Sequence, residues 1–223
     1  MLLLSLLIKF YLVQEIDYVQ KAELAWDQAW QILHTEDGWR KESGSSIESG
    51  IVYSRYFKHI GKLFKLETFV ETSPDSLFEE LVIRCDSQPQ WNATVLEARS
   101  LQVIDSHTDI YYSVAAEGAG GLVSSRDFVS LRHWKFKDGI IFAAGCAVTY
   151  PGMPPTKKHV RGENRPGGWA FKPVTGQPNR CFFCWIINTD LKGWIPQYAV
   201  DQALSGTLLD FTKHIKKHIQ ELS

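Results

Sequence analysis

A chain of 223 residues with 24 basic and 25 acidic side chains, a formal charge of −1, is long enough to bury a large core and still enclose a cavity. The charge balance offers no basic footprint for nucleic acid. Four cysteines, Cys85, Cys146, Cys181 and Cys184, are too few and too scattered for a disulfide scaffold, and they suggest reduced thiols in a cytosolic protein.

The opening "MLLLSLLIKFYL", residues 1–12, is apolar but too short to span a bilayer and lacks the basic start and cleavage site of a signal peptide. It reads either as a membrane-proximal remnant of a longer protein or as a buried or fraying helix start, with the domain proper covering 13–223. Ile16, Val19, Ala22, Trp26, Ala29 and Leu33 then form one stripe of a helix over 13–34, stopped by Gly38. "SGIVYSRYF" and "GKLFKLETFV" read as paired strands. At "TSPDSLFEELVI" a helix follows, with Ser73 as N-cap and Pro74 in its first turn, and "SQPQWNATV" suggests another short one. From "VLEARSLQVI" to "RCFFCWIINTD" the chain reads as six successive strands. The last segment, 196–222, is helical again, with Leu204, Leu208, Phe211, Ile215, Ile219 and Leu222 on one face, and is about 40 Å long at the standard rise. The expected architecture is α+β: an antiparallel sheet between two terminal helices, the longer laid across its concave side.

Alternate strand positions share a face. In "GIIFAAGCAVTY" one face is bulky (Ile140, Phe142, Ala144, Cys146, Val148, Tyr150) and the other small (Ile141, Ala143, Gly145, Ala147, Thr149). Tyr111, Ser113 and Ala115 share a face of a neighbouring strand, and Arg132 shares one with Phe128, Trp134 and Phe136. Small residues beside aromatics point either to an internal void for an apolar ligand with one polar handle, or to close packing of a helix. A guanidinium on an aromatic face needs an anion, a π-face or a ligand; the two readings are a partly exposed Arg132 stacked on Trp134, and a ligand contact.

No nucleophile elbow, phosphate loop or dinucleotide glycine pattern is present, so the expectation is a binding protein rather than an enzyme, with no cofactor and no metal. Cys181 and Cys184 fall on opposite faces of a strand, which argues against joint metal or redox work, and His214 and His218 read as a solvated helix face. Trp194, in "LKGWIP", is either a membrane-touching rim residue or a packed loop tryptophan.

The runs "AEGAGGLVSSRDFVSLRHW", "PPTKKHVRGENRPGGW" and "CFFCWIINTDLKGWIPQYAVDQALSGTLLDF" resemble the StAR-related lipid-transfer (START) family, closest to its cholesterol-binding branch, over nearly the whole chain from about Gln14. Insect members of that branch include carotenoid binders. The resemblance implies a helix-grip fold, in which a curved sheet grips the C-terminal helix around a tunnel for one lipid. It implies a gate at "EGAGGLVSS", with Gly118, Gly120, Gly121 and Leu122, though such glycines also suit any tight turn; Gly206 inside the last helix is equally open to both readings. "VRGEN" resembles an ordered connection of the family, in which Arg161, Glu163 and Asn164 satisfy loop backbone and one another while Pro166-Gly167-Gly168 turns the chain. The family's cavity arginine falls on Arg132 and its cavity asparagine on Asn92, beside Trp91; Ala147, Leu208 and Phe211 complete the expected lining with Phe128 and Trp134. Two positions depart from the sterol branch: Ser113 stands where an aspartate pairs with the arginine, and Ala143 replaces a serine. Arg132 is thus expected to lack its usual acid, with Glu117 a possible substitute, and a more apolar ligand such as a carotenoid becomes an alternative to a sterol. The implied protein is a monomer that touches membranes transiently, in the cytoplasm or on the cytosolic face of an organelle.

Overall fold

The computed structural model describes the backbone of residues 2–222 and the side chains of 17–222. Helix α1 (Leu2–Leu33) leads to β1 (Arg40–Ser43), β2 (Ile51–Phe57) and β3 (Gly61–Val70); α2 (Pro74–Phe78) runs on into a wider π turn over Glu79–Ile83, and α3 (Gln88–Trp91) follows. Next come β4 (Val95–Asp105), β5 (Thr108–Ala115), β6 (Arg126–Lys137), β7 (Ile140–Ala147), β8 (Val160–Arg161), β9 (Glu163–Asn164), β10 (Gly167–Val174), β11 (Gln177–Ile187), β12 (Thr189–Asp190) and finally α4 (Gln197–Leu222). The helix-forming signals act as expected: Ser73 Oγ accepts from the backbone N–H of Ser76 and Pro74 sits at the first helical position. The side chains of 1–12, and of Ile16, lie outside the described residues.

The main sheet runs β1-β2-β3-β11-β10-β7-β6-β5-β4 with antiparallel neighbours; β8 joins β6 in parallel, and β12 and β9 form a separate small ladder. Each face of the sheet carries its own core. On one, α1 sets Trp26, Ala29, Ile32 and Leu33 against Phe142, Ala144, Ala170, Cys184 and Ile186. The Trp26 indole N–H donates to the Phe142 carbonyl at 2.9 Å, which lets a large polar-tipped ring sit in that core. On the other face α4 buries Leu204, Leu208, Phe211, Ile215 and Ile219 against β2, β3, β10 and β11, with Leu77 and Leu81 closing the layer. This is the α+β helix-grip arrangement. Two details differ from expectation. Leu222, the last residue of α4, is 58% exposed, whereas Ile219 one turn earlier is still buried in the core. The short edge strand β1 went unrecognised, since "RKES" has no strand pattern and is held by pairing with β2.

Candidate functional site

Between the sheet and the first half of α4 lies a cavity of about 230 Å³. One face of β6 (Arg126, Phe128, Ser130, Arg132) supplies its spine, joined by Tyr111, Ser113 and Ala115 of β5, Ala143 and Gly145 of β7, and Ala203, Leu204 and Thr207 of α4. The small face of β7 thus borders a void. Pairing explains the space around Arg132: its cross-strand partner on β7 is Gly145, and Gly145 is in turn opposite Gly167. A Cβ on Gly145 would meet the Leu131 carbonyl at 2.2 Å, so the close strand approach itself excludes larger residues.

Arg132 is 8% exposed and is not without an acid. Its Nε donates to Asp109 Oδ1 at 2.8 Å and Nη2 to Oδ2 at 2.5 Å, while Tyr111 lies under the guanidinium at 4.2 Å and Cys85 Sγ is 3.7 Å from Nη2. Burial works against the charge, but the hydrogen bonds and charge of Asp109 outweigh it and raise the guanidinium's pKa. Nη1 is buried and has no hydrogen-bond partner among the described residues. The expectation that Ser113 leaves Arg132 unpaired is therefore corrected: Asp109 stands directly opposite Arg132 in the β5–β6 register and takes that role. The stacking partner is Tyr111, and the aromatic ring expected there, Trp134, instead packs on Phe78 at 6.1 Å.

Of the residues expected to line the cavity, Arg132, Ser113, Ala143 and Phe128 do so, joined by Gly118 of the expected gate loop, whereas Trp134, Asn92, Trp91, Ala147, Leu208 and Phe211 do not. Leu208 and Phe211 lie further along α4, where Phe211 is wedged between Trp185 (5.0 Å) and Phe183 (5.7 Å) and seals the solid half of the molecule. Asn92 caps a turn: its Oδ1 accepts from Thr94 N and Oγ1 and lies 3.1 Å from His214 Nδ1. Trp91 stacks on His218 at 4.7 Å, and His218 Nε2 meets the buried Glu80 at 2.8 Å. The two histidines are thus not a solvated face; they tie α4 to the α2–α3 segment. Ala147 borders an outer groove with Lys21 and Leu24, and Asn164 and Arg165 line both that groove and the cavity.

The "VRGEN" segment satisfies loop backbone as expected, at the Met153 carbonyl, but its side chains pair with other elements rather than with one another. Arg161 holds the buried Asp127 through Nε (3.0 Å) and Nη2 (2.8 Å) and also donates to the Met153 carbonyl. Glu163 pairs with Lys192, and Asn164 donates to Ser130 Oγ and accepts from Thr189 Oγ1. In the loop between β5 and β6, Ala119, Gly120 and Gly121 have positive φ, and a Cβ on Gly118 would fall 2.9 Å from that of Ala203. The loop therefore rests directly on α4, with Val123, Ala199 and Ala203 buried together. Around this contact Leu122, Tyr198 and Trp194 are exposed, Trp194 at 97%, which excludes a packed loop tryptophan. Cys181 and Cys184 belong to different cores on opposite faces of the sheet, and all four cysteines are buried and unpaired.

A sheet that grips a helix around a partly enclosed, mostly apolar space with the buried Arg132–Asp109 ion pair at its wall defines a helix-grip domain with room for a small molecule. The START domain profile matches residues 20–223, and the chain belongs to that family, whose domains bind and transfer lipids. It is 39% identical over 210 residues to the mitochondrial steroidogenic acute regulatory protein of Ovis aries, covering 94% of this chain and 73% of that protein, and 38% identical to the Homo sapiens protein over the same length. Among solved structures, human StAR-related lipid transfer protein 5 superposes with a TM-score of 0.83 at 23% identity, covering 93% of this chain and 99% of the other; human STARD10 gives 0.71 at 18%, covering 87% and 80%. These two likenesses bear on the fold. No helix among the described residues is long and apolar enough to cross a membrane.

Proposed function

We propose that this domain carries one sterol-type lipid at a time between membranes, with the lipid's hydroxyl at Arg132 and its hydrocarbon along β6, β7 and α4. The observation that carries this reading is the free Nη1 of Arg132 at a mostly apolar cavity, with the guanidinium held in place by Asp109 and Tyr111. Asp109 supplies the carboxylate that Ser113 does not, which supports the sterol over the carotenoid. Burying roughly 400 Å² of a sterol is worth on the order of 10 kcal/mol against water. The donor is a membrane, however, so exchange is nearly balanced and the carrier's task is to shield the lipid in transit. The mouth lies where the 118–123 loop meets α4, and Trp194, Leu122 and Tyr198 place apolar surface beside it for transient contact with a bilayer. The domain acts as a monomer and as a carrier, not a catalyst.

The test offers purified protein cholesterol and lutein in competition, read by native mass spectrometry and visible absorption. A stoichiometric cholesterol complex is expected. A lutein complex with a shifted visible band would replace the sterol by a carotenoid, and capture of neither would end the reading.

A further inference from the structure

The cavity has a second guanidinium that the sterol reading leaves unused. Arg126 lies six residues before Arg132 on the same face of β6, so the two Cα atoms are separated by about 20 Å of strand with Phe128 and Ser130 between them. Arg126 is 5% exposed, and among the described residues no carboxylate lies within ion-pair distance of it. Its acceptors are neutral: Nε donates to the Leu191 carbonyl (3.1 Å), Nη1 to the Ser124 carbonyl and to Ser124 Oγ (3.0 Å), and Nη2 makes a long 3.5 Å contact to the Lys192 carbonyl. A guanidinium has five N–H groups, so four acceptors leave one over. Burial without a counter-charge also depresses its pKa. At the other end Arg132 keeps both N–H groups of Nη1 unused. Ser124 belongs to the loop between β5 and β6 and Leu191 and Lys192 to the connector before α4, so Arg126 is tied to that loop and connector while Arg132 lies at the far end of the same cavity face.

Resting on the lipid-carrier reading above, we infer that the cavity is built for a lipid bearing an oxygen at each end, one accepting from Arg132 and the other from Arg126. A sterol hydroxylated at the end of its side chain has that form. Cholesterol itself satisfies Arg132 alone, and a carotenoid hydroxylated on both rings overshoots the span between the two guanidinium groups. A hydrogen bond to a charged donor is worth about tenfold or more in affinity.

The experiment displaces a fluorescent sterol from the intact chain with cholesterol or with cholesterol hydroxylated at its side-chain terminus. The doubly hydroxylated sterol is expected to compete about tenfold better or more. In Arg126→Met the ratio of the two affinities should fall to about one, whatever the change in cholesterol affinity itself; Arg126→Lys, which keeps a charged donor, should retain part of the advantage. Equal competition by the two sterols in the parent overturns the inference, as does an equal loss of both in Arg126→Met, which marks Arg126 as a gate staple only. If Arg126→Met does not fold, the parent ratio and the Arg126→Lys ratio decide. Failure of both sterols to displace the probe would instead remove the carrier reading on which the inference rests.

Discussion

Replacing Asp109 by asparagine keeps the shape of the side chain and removes the carboxylate that faces Arg132. The pair is buried on both sides and joined by two hydrogen bonds, at 2.8 and 2.5 Å. With charge centres about 4 Å apart and an effective dielectric near 20, the lost attraction is about 4 kcal/mol. That agrees with the roughly 3–5 kcal/mol seen when one partner of a buried pair is removed and the other charge is left stranded. At a urea slope of about 2 kcal/mol/M the unfolding midpoint should fall by about 1.5–2.5 M. The companion double variant, Asp109→Leu with Arg132→Met, removes both charges and should recover to within about 1–2 kcal/mol of the parent, since an apolar pair often replaces a buried ion pair at little cost. Urea titrations followed by tryptophan fluorescence on lipid-free protein give all three values. An Asp109→Asn midpoint within about 0.5 M of the parent would refute the reasoning, for Arg132 would then have another counter-charge or ready access to water.

Gly162→Ala places a Cβ 2.3 Å from the edge of the Phe128 ring, so the ring must turn within the cavity it lines; a loss of about 1–3 kcal/mol and a reduced lipid stoichiometry are expected, checked by thermal unfolding and native mass spectrometry. The Cys181 and Cys184 thiols are pushed up to about 12 by burial, which leaves a thiolate fraction on the order of one in ten thousand at pH 8. Ellman's reagent should therefore leave both untouched in the native protein and titrate all four cysteines in denaturant.

The elements were legible because the periodicities are clean: the α4 stripe over Leu204–Ile219 is what buries, and the alternation of small and bulky residues in β7 separates cavity from core. Register was the missing piece at the site. Residue 109 lies on the same face of β5 as Ser113, but only the β5–β6 pairing sets it opposite Arg132, and a carboxylate at the start of a strand looks like turn chemistry in sequence. Asn92, Trp91 and the two α4 histidines were misplaced for a related reason. A helix stripe says which face is buried, not that its second half meets a plug of Trp91, Phe183 and Trp185 while its first half meets space. Arg126 gave no sign in sequence at all, since Asp127 beside it suggests a partner; that aspartate is taken by Arg161 from the opposite direction along the fold.

Strand β7 is a partition wall one side chain thick. Phe142 and Ala144 pack against α1 on one side, while Ala143 and Gly145 border a hollow on the other and Ala143 also joins the core beneath α4. Residues next to each other in the chain therefore answer to different constraints: Ala143 to the hollow and the α4 core, Phe142 to the packing of α1. That wall can vary at few places: the Leu131 carbonyl holds Gly145 to glycine, which leaves Ala143 as the position where the hollow can change shape while the face toward α1 stays as it is.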